Sequence, residues 1–307
     1  MALTPTDKLL AAYIAFVTVV LVVRGPFVPA VHVWVLVMHA LFVGLWMLLT
    51  RQGARGPTGR ALHGLYPILV LVPLYTAIGY VNDAVGLDSI LRNDAIVQRW
   101  EAAVFGGQVS YGWIRTYPSV FWSGLLHIAY LFYYPAILGG PLLVTLRHGV
   151  EVAKPVIFSA MLAYLSCYVV FILFPVAGPN YAFPHPTGVV REVWSAELVY
   201  GILGKGSSVG AAFPSSHVAA TVAVVWGIWR AWRGFGALLL LPTGLLTIAT
   251  VYCQMHYGMD AAVGLAVGVA AGAAGQWLWA WWSDAAPADT TVESPVSSAS
   301  LPRTSRR

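Results

Sequence analysis

Eight times along its length this chain writes an apolar run close to the thickness of a bilayer, and no other feature narrows the possible folds as much. The runs are Leu9–Val23, Val31–Thr50, Leu65–Val81, Val120–Leu146, Pro155–Val176, Ser216 to Trp229 or Trp232, Phe235–Gln254 and Met259–Trp282. Hydrocarbon offers no partner for a backbone N–H or C=O, so a lone apolar segment crosses it only as a helix. The expectation is an all-α polytopic membrane protein with about eight transmembrane helices. Composition agrees: 59% of residues are hydrophobic and only 9% charged, far from the usage of soluble domains. Thirteen Trp and fifteen Tyr suit a protein with two membrane interfaces, where amphipathic rings collect. Cys167 and Cys253 both fall inside apolar runs and read as buried thiols.

Two stretches between the runs are polar. Asp88–Phe105 sets Ile90, Ile96, Val97, Trp100 and Val104 among Arg92, Asp94, Arg99 and Glu101, the pattern of an amphipathic helix lying on the interface. Ala177–Phe213 is rich in Pro and Gly. Ser283–Arg307 has too few apolar residues to fold and reads as a disordered tail. The division expected is a two-helix membrane anchor over residues 1–63, a membrane body over 64–282 that carries the chemistry, and a cytoplasmic tail over 283–307.

Basic residues orient the spans. With the amino terminus inside, eleven of the 17 Lys and Arg residues fall on the cytoplasmic side: Lys8, Arg51, Arg55, Arg60, Arg147, Lys154, Arg230, Arg233, Arg303, Arg306 and Arg307. Six fall outside: Arg24, Arg92, Arg99, Arg115, Arg191 and Lys205. That is the positive-inside bias, and it makes the charge of +5 a matter of topology and not a surface for nucleic acid. Both termini are then cytoplasmic. The first run also resembles a signal peptide with a small-residue site near Ala30, but an uncleaved helix is the reading taken. Fourteen of the 17 basic residues are Arg, which fits a GC-rich bacterial genome and hence a bacterial plasma membrane.

Sidedness brings three distant segments to one extracytoplasmic face. These are Gly178-Pro179-Asn180-Tyr181, Ala212-Phe213-Pro214-Ser215-Ser216-His217 and His256-Tyr257-Gly258-Met259-Asp260. His256 and Asp260, four apart at a helix start, share a face. The carboxylate can fix one imidazole nitrogen and leave the other as a nucleophile. His217 can protonate a leaving oxygen or take a proton from an attacking hydroxyl. Pro214, Ser215 and Ser216 open a helix, whose unpaired N–H groups, dipole and hydroxyls make a phosphate cradle.

Each part has a plainer reading. A lone interfacial histidine is ordinarily an amphipathic residue at headgroup level, and an isolated H-x-x-x-D is as often a structural hydrogen bond. A His and Asp four apart could also share a metal ion, but no second histidine-rich helix supports one. The conjunction of both motifs on one face favours phosphoryl chemistry without a metal or other cofactor. A transporter needs midplane charges or broken helices, which these runs lack, and a serine protease needs a Gly-x-Ser-Gly element, which is missing.

Phe213-Pro214-Ser215-Ser216-His217 and His256-Tyr257-Gly258-Met259-Asp260 resemble the second and third signature motifs of the type 2 phosphatidic acid phosphatase (PAP2) superfamily. The resemblance covers about Leu65 to Trp282 and implies a six-helix core with two further helices before it. It also implies that His256 forms a phosphohistidine, Asp260 orients it and His217 handles the leaving group. Gly178-Pro179 stands where the family has Arg-Pro, and Ala249-Thr250 where it has Ser-Arg, so both phosphate-clamping arginines are missing. Fewer cations favour a singly charged phosphodiester over a phosphomonoester. With Asp94-x6-Glu101-x3-Phe105-Gly106 and the aromatic after His256, the chain is similar to the inositol phosphorylceramide synthase branch. That branch implies a lipid phosphotransferase moving a head group such as phosphoinositol from a phospholipid donor to a lipid-alcohol acceptor. The alternatives are a lipid or polyprenyl phosphate phosphatase with water as acceptor, and a non-enzymatic transporter. Ser215, Ser216, Pro179, Asn180 and Tyr181 are expected at the phosphate or head group, with one or two of Arg191, Lys205, Arg92, Arg99 and Arg115 standing in for the clamp. His127, Tyr130 and Tyr134 are candidate cavity residues, and the glycines at 264, 268 and 272 permit close helix approach.

Overall fold

The computed structural model describes residues 3–24, 29–53, 56–83, 85–206 and 208–284. The expected tail lies outside them, apart from its first two residues, which end the last helix. The described residues form helices and loops without a β-strand; one isolated parallel bridge joins Val176 to Ala211.

The helices run α1 Pro5–Arg24, α2 Pro29–Gly53, α3 Pro57–Leu69, α4 Leu71–Asp83, α5 Leu87–Phe105, α6 Val109–Thr116 and α7 Val120–Leu131. They continue as α8 Gly140–His148, α9 Val150–Leu173, α10 Pro179–Ala182, α11 Trp194–Gly206, α12 Ser216–Ala231, α13 Arg233–Tyr252 and α14 Gly258–Asp284. Two of the expected spans are broken, which corrects the expectation that the runs lack broken helices, and proline explains both breaks. Pro73, in the first turn of α4, has no N–H and crowds the Leu69 carbonyl where α3 ends. Pro135 does the same to Leu131 at the end of α7, and a π-helical turn, Pro135–Gly139, connects α7 to α8.

Among the described residues six helical segments are long and apolar enough to cross a membrane: Pro5–Arg24, Pro57–Asp83, Val120–His148, Val150–Leu173, Arg233–Tyr252 and Gly258–Ser283. Of the two remaining runs of the expected eight, α2 is 25 residues long, and the apolar stretch described within it is Val35–Leu49. The 16 residues of α12 rise only about 24 Å, against roughly 30 Å of hydrocarbon. α12 packs against α9, α13 and α14, and ten of its 16 residues are buried. Only small residues allow this. A Cβ added to Gly264, Gly268 or Gly272 of α14 would lie 2.6 Å from the Ser215 carbonyl oxygen, 2.6 Å from that of Ala219 and 2.7 Å from the Trp226 side chain. The glycine ladder thus seats α14 on the full length of α12 and fixes Asp260, four residues before it, against Ser215.

The first helix is tied to the body at both ends. Arg24 donates to the Ile172 carbonyl near the end of α9. At the opposite end Asp7 accepts from the Tyr66 hydroxyl of α3. α5, the amphipathic segment, caps the bundle where α9, α12 and α14 begin or end. It stops at Gly106, whose φ of 77° is the left-handed cap that glycine adopts without strain.

Candidate active site

Three loops meet at the α5 end of the bundle, and backbone hydrogen bonds stitch them together. Ala212 N–H donates to the Val176 carbonyl at 3.0 Å, and Val176 N–H donates to the Gly210 carbonyl at 3.2 Å. Ser215 N–H donates to the Asp260 carbonyl at 2.9 Å. The α13–α14 loop is closed on itself, with Met255 N–H and His256 N–H both donating to the Thr250 carbonyl, at 3.0 and 2.9 Å. The histidines therefore ride on a cross-linked platform and not on free loops.

His256 Nδ1 lies 3.0 Å from the Ala212 carbonyl oxygen and 3.4 Å from Asp260 Oδ2. Both neighbours are acceptors, so Nδ1 carries the hydrogen and Nε2 keeps its lone pair. Ala212 is the closer partner; Asp260 Oδ2 spends its shorter contact, 2.8 Å, on the Tyr257 N–H. Burial, opposed by the bond to Ala212, pushes His256 down to about 4, so the ring is neutral near pH 7. Its free Nε2 faces His217 Nδ1 at 3.4 Å. Tyr130 OH lies 3.3 Å from the other nitrogen of His217, Nε2, and the Tyr133 ring lies 4.3 Å from the His217 ring. The broken helix α7–α8 presents both tyrosines. A hydroxyl donates and accepts, so Tyr130 can satisfy His217 in either protonation state.

A cavity of about 50 Å³ opens on both histidines, lined also by Tyr75, Tyr130, Asn180, Tyr181, Ser208 and Met255. It holds a few waters' worth of space. Among the described residues, neither Lys nor Arg lines it. Two larger cavities, about 670 and 680 Å³, are apolar clefts along α13 and α14 that neither histidine lines.

The remaining sequence candidates divide. Asn180 and Tyr181 line the cavity. Pro179 is the first residue of α10, and its carbonyl accepts from Gln254 Nε2 at 3.2 Å. Ser215 caps α12, its hydroxyl accepting from Val218 N–H at 3.4 Å, and Ser216 is buried as the first residue of that helix. Arg191 sits apart, its guanidinium 4.2 Å over the Tyr200 ring. Lys205 belongs to α11, but its side chain lies outside the described residues. Arg115, another candidate clamp, is already engaged: it donates to the Tyr111 carbonyl and to Gln254 Oε1, each at 2.6 Å, and to the Pro184 carbonyl.

The missing arginines have a structural counterpart. Gly178 has a φ of 94°, and a Cβ there would sit 2.9 Å from the Ala212 side chain. An arginine does not fit this backbone. Thr250 is fully buried, and its hydroxyl donates to the Thr247 carbonyl at 2.7 Å.

Sequence reasoning missed a buried carboxylate as the brace of the platform. Asp94 of α5 accepts from Ala177 N–H and Gly178 N–H, both at 2.8 Å, and from the Tyr257 hydroxyl at 2.9 Å. Burial raises its pKa, and these three bonds pull against that rise. Glu101, also buried, accepts from Ser110 N–H at 2.9 Å. The signal available in the sequence was two acids on the inward side of an amphipathic helix.

Comparison with known proteins gives one match: the family model described as PAP2 superfamily covers residues 97–274. No curated protein and no solved structure matches. The match spans more than half the chain and contains His217, His256 and Asp260, and the six apolar helices make the molecule an integral membrane protein. The chain belongs to the PAP2 superfamily, whose members are typically phosphatases or phosphotransferases.

Proposed function

We propose that the protein is a lipid phosphotransferase of the inositol phosphorylceramide synthase type, which moves a phospho-head group such as phosphoinositol from a phospholipid to a lipid alcohol. The observation that carries this reading is the paired histidines at 3.4 Å under a cavity whose lining, among the described residues, holds tyrosine, asparagine and serine but neither Lys nor Arg. A phosphomonoester dianion is poorly matched to such a wall, whereas a monoanionic diester with a neutral polar head group suits it.

In the first step a phosphoryl group enters between the histidines and replaces their contact. His256 Nε2 attacks phosphorus, the bond from phosphorus to the lipid oxygen breaks, and His217 Nδ1 gives that oxygen its proton. In the second step His217 takes the proton of the acceptor hydroxyl, whose oxygen attacks phosphorus. The P–N bond then breaks and His256 is restored. Asp260 and the Ala212 carbonyl hold Nδ1–H throughout, and the amino end of α12 offers N–H groups and a dipole to the phosphoryl oxygens.

The wider reading follows from charge. Eight spans, with α12 as the short one, put both termini in the cytoplasm and the site on the extracytoplasmic face of a bacterial plasma membrane. Residues 1–63 anchor, and residues 64–282 form the catalytic domain. The test is product analysis on purified protein in mixed micelles of phosphatidylinositol with a fluorescent lipid alcohol, beside a parallel assay on phosphatidic acid. A labelled phosphodiester that appears only with the alcohol is expected. Free phosphate from phosphatidic acid, with no diester formed, overturns the transferase reading in favour of a phosphatase.

A further inference from the structure

Two oxygens stand beside His256 Nδ1: the Ala212 carbonyl, hydrogen-bonded at 3.0 Å, and Asp260 Oδ2, in contact at 3.4 Å. They come from different segments, the loop before α12 and the first turn of α14, so their relative position decides where Nε2 points. Both segments can be traced to a single side chain. Asp94 Oδ1 accepts the Tyr257 hydroxyl at 2.9 Å, and Tyr257 N–H donates to Asp260 Oδ2 at 2.8 Å. Tyr257 is thus held at both ends, one residue after His256. On the other route, Asp94 accepts from Ala177 and Gly178 N–H at 2.8 Å each. The adjoining Val176 carbonyl accepts from Ala212 N–H at 3.0 Å, and Ala212 offers its own carbonyl to His256 at 3.0 Å.

From this convergence we infer that Asp94 is a positioning residue for the nucleophile: it sets both acceptors of His256 Nδ1 relative to one another, through Tyr257 on one side and through Ala177 and Gly178 on the other. Gln98, one helical turn along the same face of α5, assists by donating to the Tyr257 oxygen at 3.0 Å, so the phenol is gripped by two side chains four residues apart. Only an ionised carboxylate suits the centre of this node. It offers acceptors in every direction, and Asp94 meets three donors at 1% exposure. An amide would turn an NH2 towards at least one of those N–H groups. The inference rests on His256 being the nucleophile, as proposed above.

The experiment is a double-mutant cycle of Tyr257→Phe and Asp94→Asn in the full-length protein. It is measured on phosphatidylinositol plus a fluorescent lipid alcohol or on phosphatidic acid, whichever the wild type turns over faster. Tyr257→Phe removes one hydroxyl and leaves both backbone bonds of Asp94 intact. It is expected to lower kcat by roughly tenfold, the scale of a small misplacement of a reacting group, with KM within about twofold of wild type. Asp94→Asn, which disturbs both routes, is expected to fall further, and adding Tyr257→Phe to it should cost little more. A Tyr257→Phe enzyme with kcat within about twofold of wild type, a change confined to KM, or effects that multiply independently in the double variant each overturn the inference. Should Asp94→Asn not yield monodisperse protein, the split between kcat and KM in Tyr257→Phe decides alone. His256→Ala in the same assay separates the two levels. Turnover retained there sinks the nucleophile assignment, while turnover lost there beside an unaffected Tyr257→Phe sinks only the role of Asp94.

Discussion

Among the described residues, two Asp–His–Tyr clusters stand at opposite ends of the bundle, and they differ in what the histidine is free to do. At one end Asp7, whose side chain is fully buried, accepts from the Tyr66 hydroxyl, from Thr4 N–H at 2.9 Å and from the Thr4 hydroxyl at 2.7 Å. His63 Nε2 stands 3.5 Å away, and its ring stacks on Tyr66 at 5.7 Å. Every group there faces another group of the same clamp, which holds α1 to α3. At the other end Asp260 is equally buried, but His256 has one nitrogen tied back and the other open to a cavity with a second histidine opposite. Residue types alone do not make a site. A carboxylate behind one nitrogen and a space in front of the other do.

That contrast can be broken most sharply at the two cavity histidines. His256→Ala is expected to abolish transfer while the protein still inserts in the membrane; wild-type turnover removes the distinction between the clusters altogether. His217→Ala should lower kcat by about 10²- to 10⁴-fold, the usual worth of a positioned general acid or base, as measured at saturating donor and acceptor. Asp260→Asn should be milder, about 10- to 100-fold, as when an orienting partner of a histidine is lost, because the Ala212 carbonyl still fixes the tautomer. A loss as complete as that of His256→Ala shows instead that the carboxylate, despite its longer contact, carries the orientation.

The pH profile sharpens the same point. Burial disfavours the imidazolium, so the folded-state value for His256 is depressed, to about 4, and the ring stays a neutral nucleophile as pH falls from 7 until it nears that value. The acid limb of kcat/KM, which reports free-enzyme groups, is therefore expected near pH 4 rather than near the ordinary histidine value of about 6.5. The smallest catalytic effect belongs to the clamp. Asp7→Ala leaves the Tyr66 and Thr4 donors without their acceptor, at about 1–3 kcal/mol for each buried group left unpaired. It should lower the thermal midpoint in detergent with kcat little changed.

Which features were legible in the sequence follows from the same physics. A membrane segment declares itself by length and apolarity, so six of the expected runs needed little besides counting. α12 was read from the apolar run that begins at Ser216, and at 16 residues it is shorter than the six segments long enough to cross. His217, His256 and Asp260 could be grouped because spans alternate in direction. The brace could not. Asp94 reaches Gly178 and Tyr257, 84 and 163 residues away, and no periodicity encodes such contacts. Arg115 is one of five outward basic residues that could substitute for the clamp, and the bonds that occupy it, to the Tyr111 and Pro184 carbonyls and to Gln254 Oε1, are details of the fold, local and long-range alike. Gly178 was noticed as a lost arginine, but its positive φ and its closeness to Ala212, which exclude that arginine, belong to the backbone.

The central claim is that His256 Nε2 takes up the phosphoryl group with its head group still attached. It is tested most directly by trapping. Protein is mixed with phosphatidylinositol labelled in both phosphate and inositol, quenched in alkali, digested and read by mass spectrometry. The account predicts an alkali-stable, acid-labile adduct on the peptide containing His256, with both labels present and absent from His256→Ala. An adduct carrying phosphate alone, or one on any other residue, contradicts it.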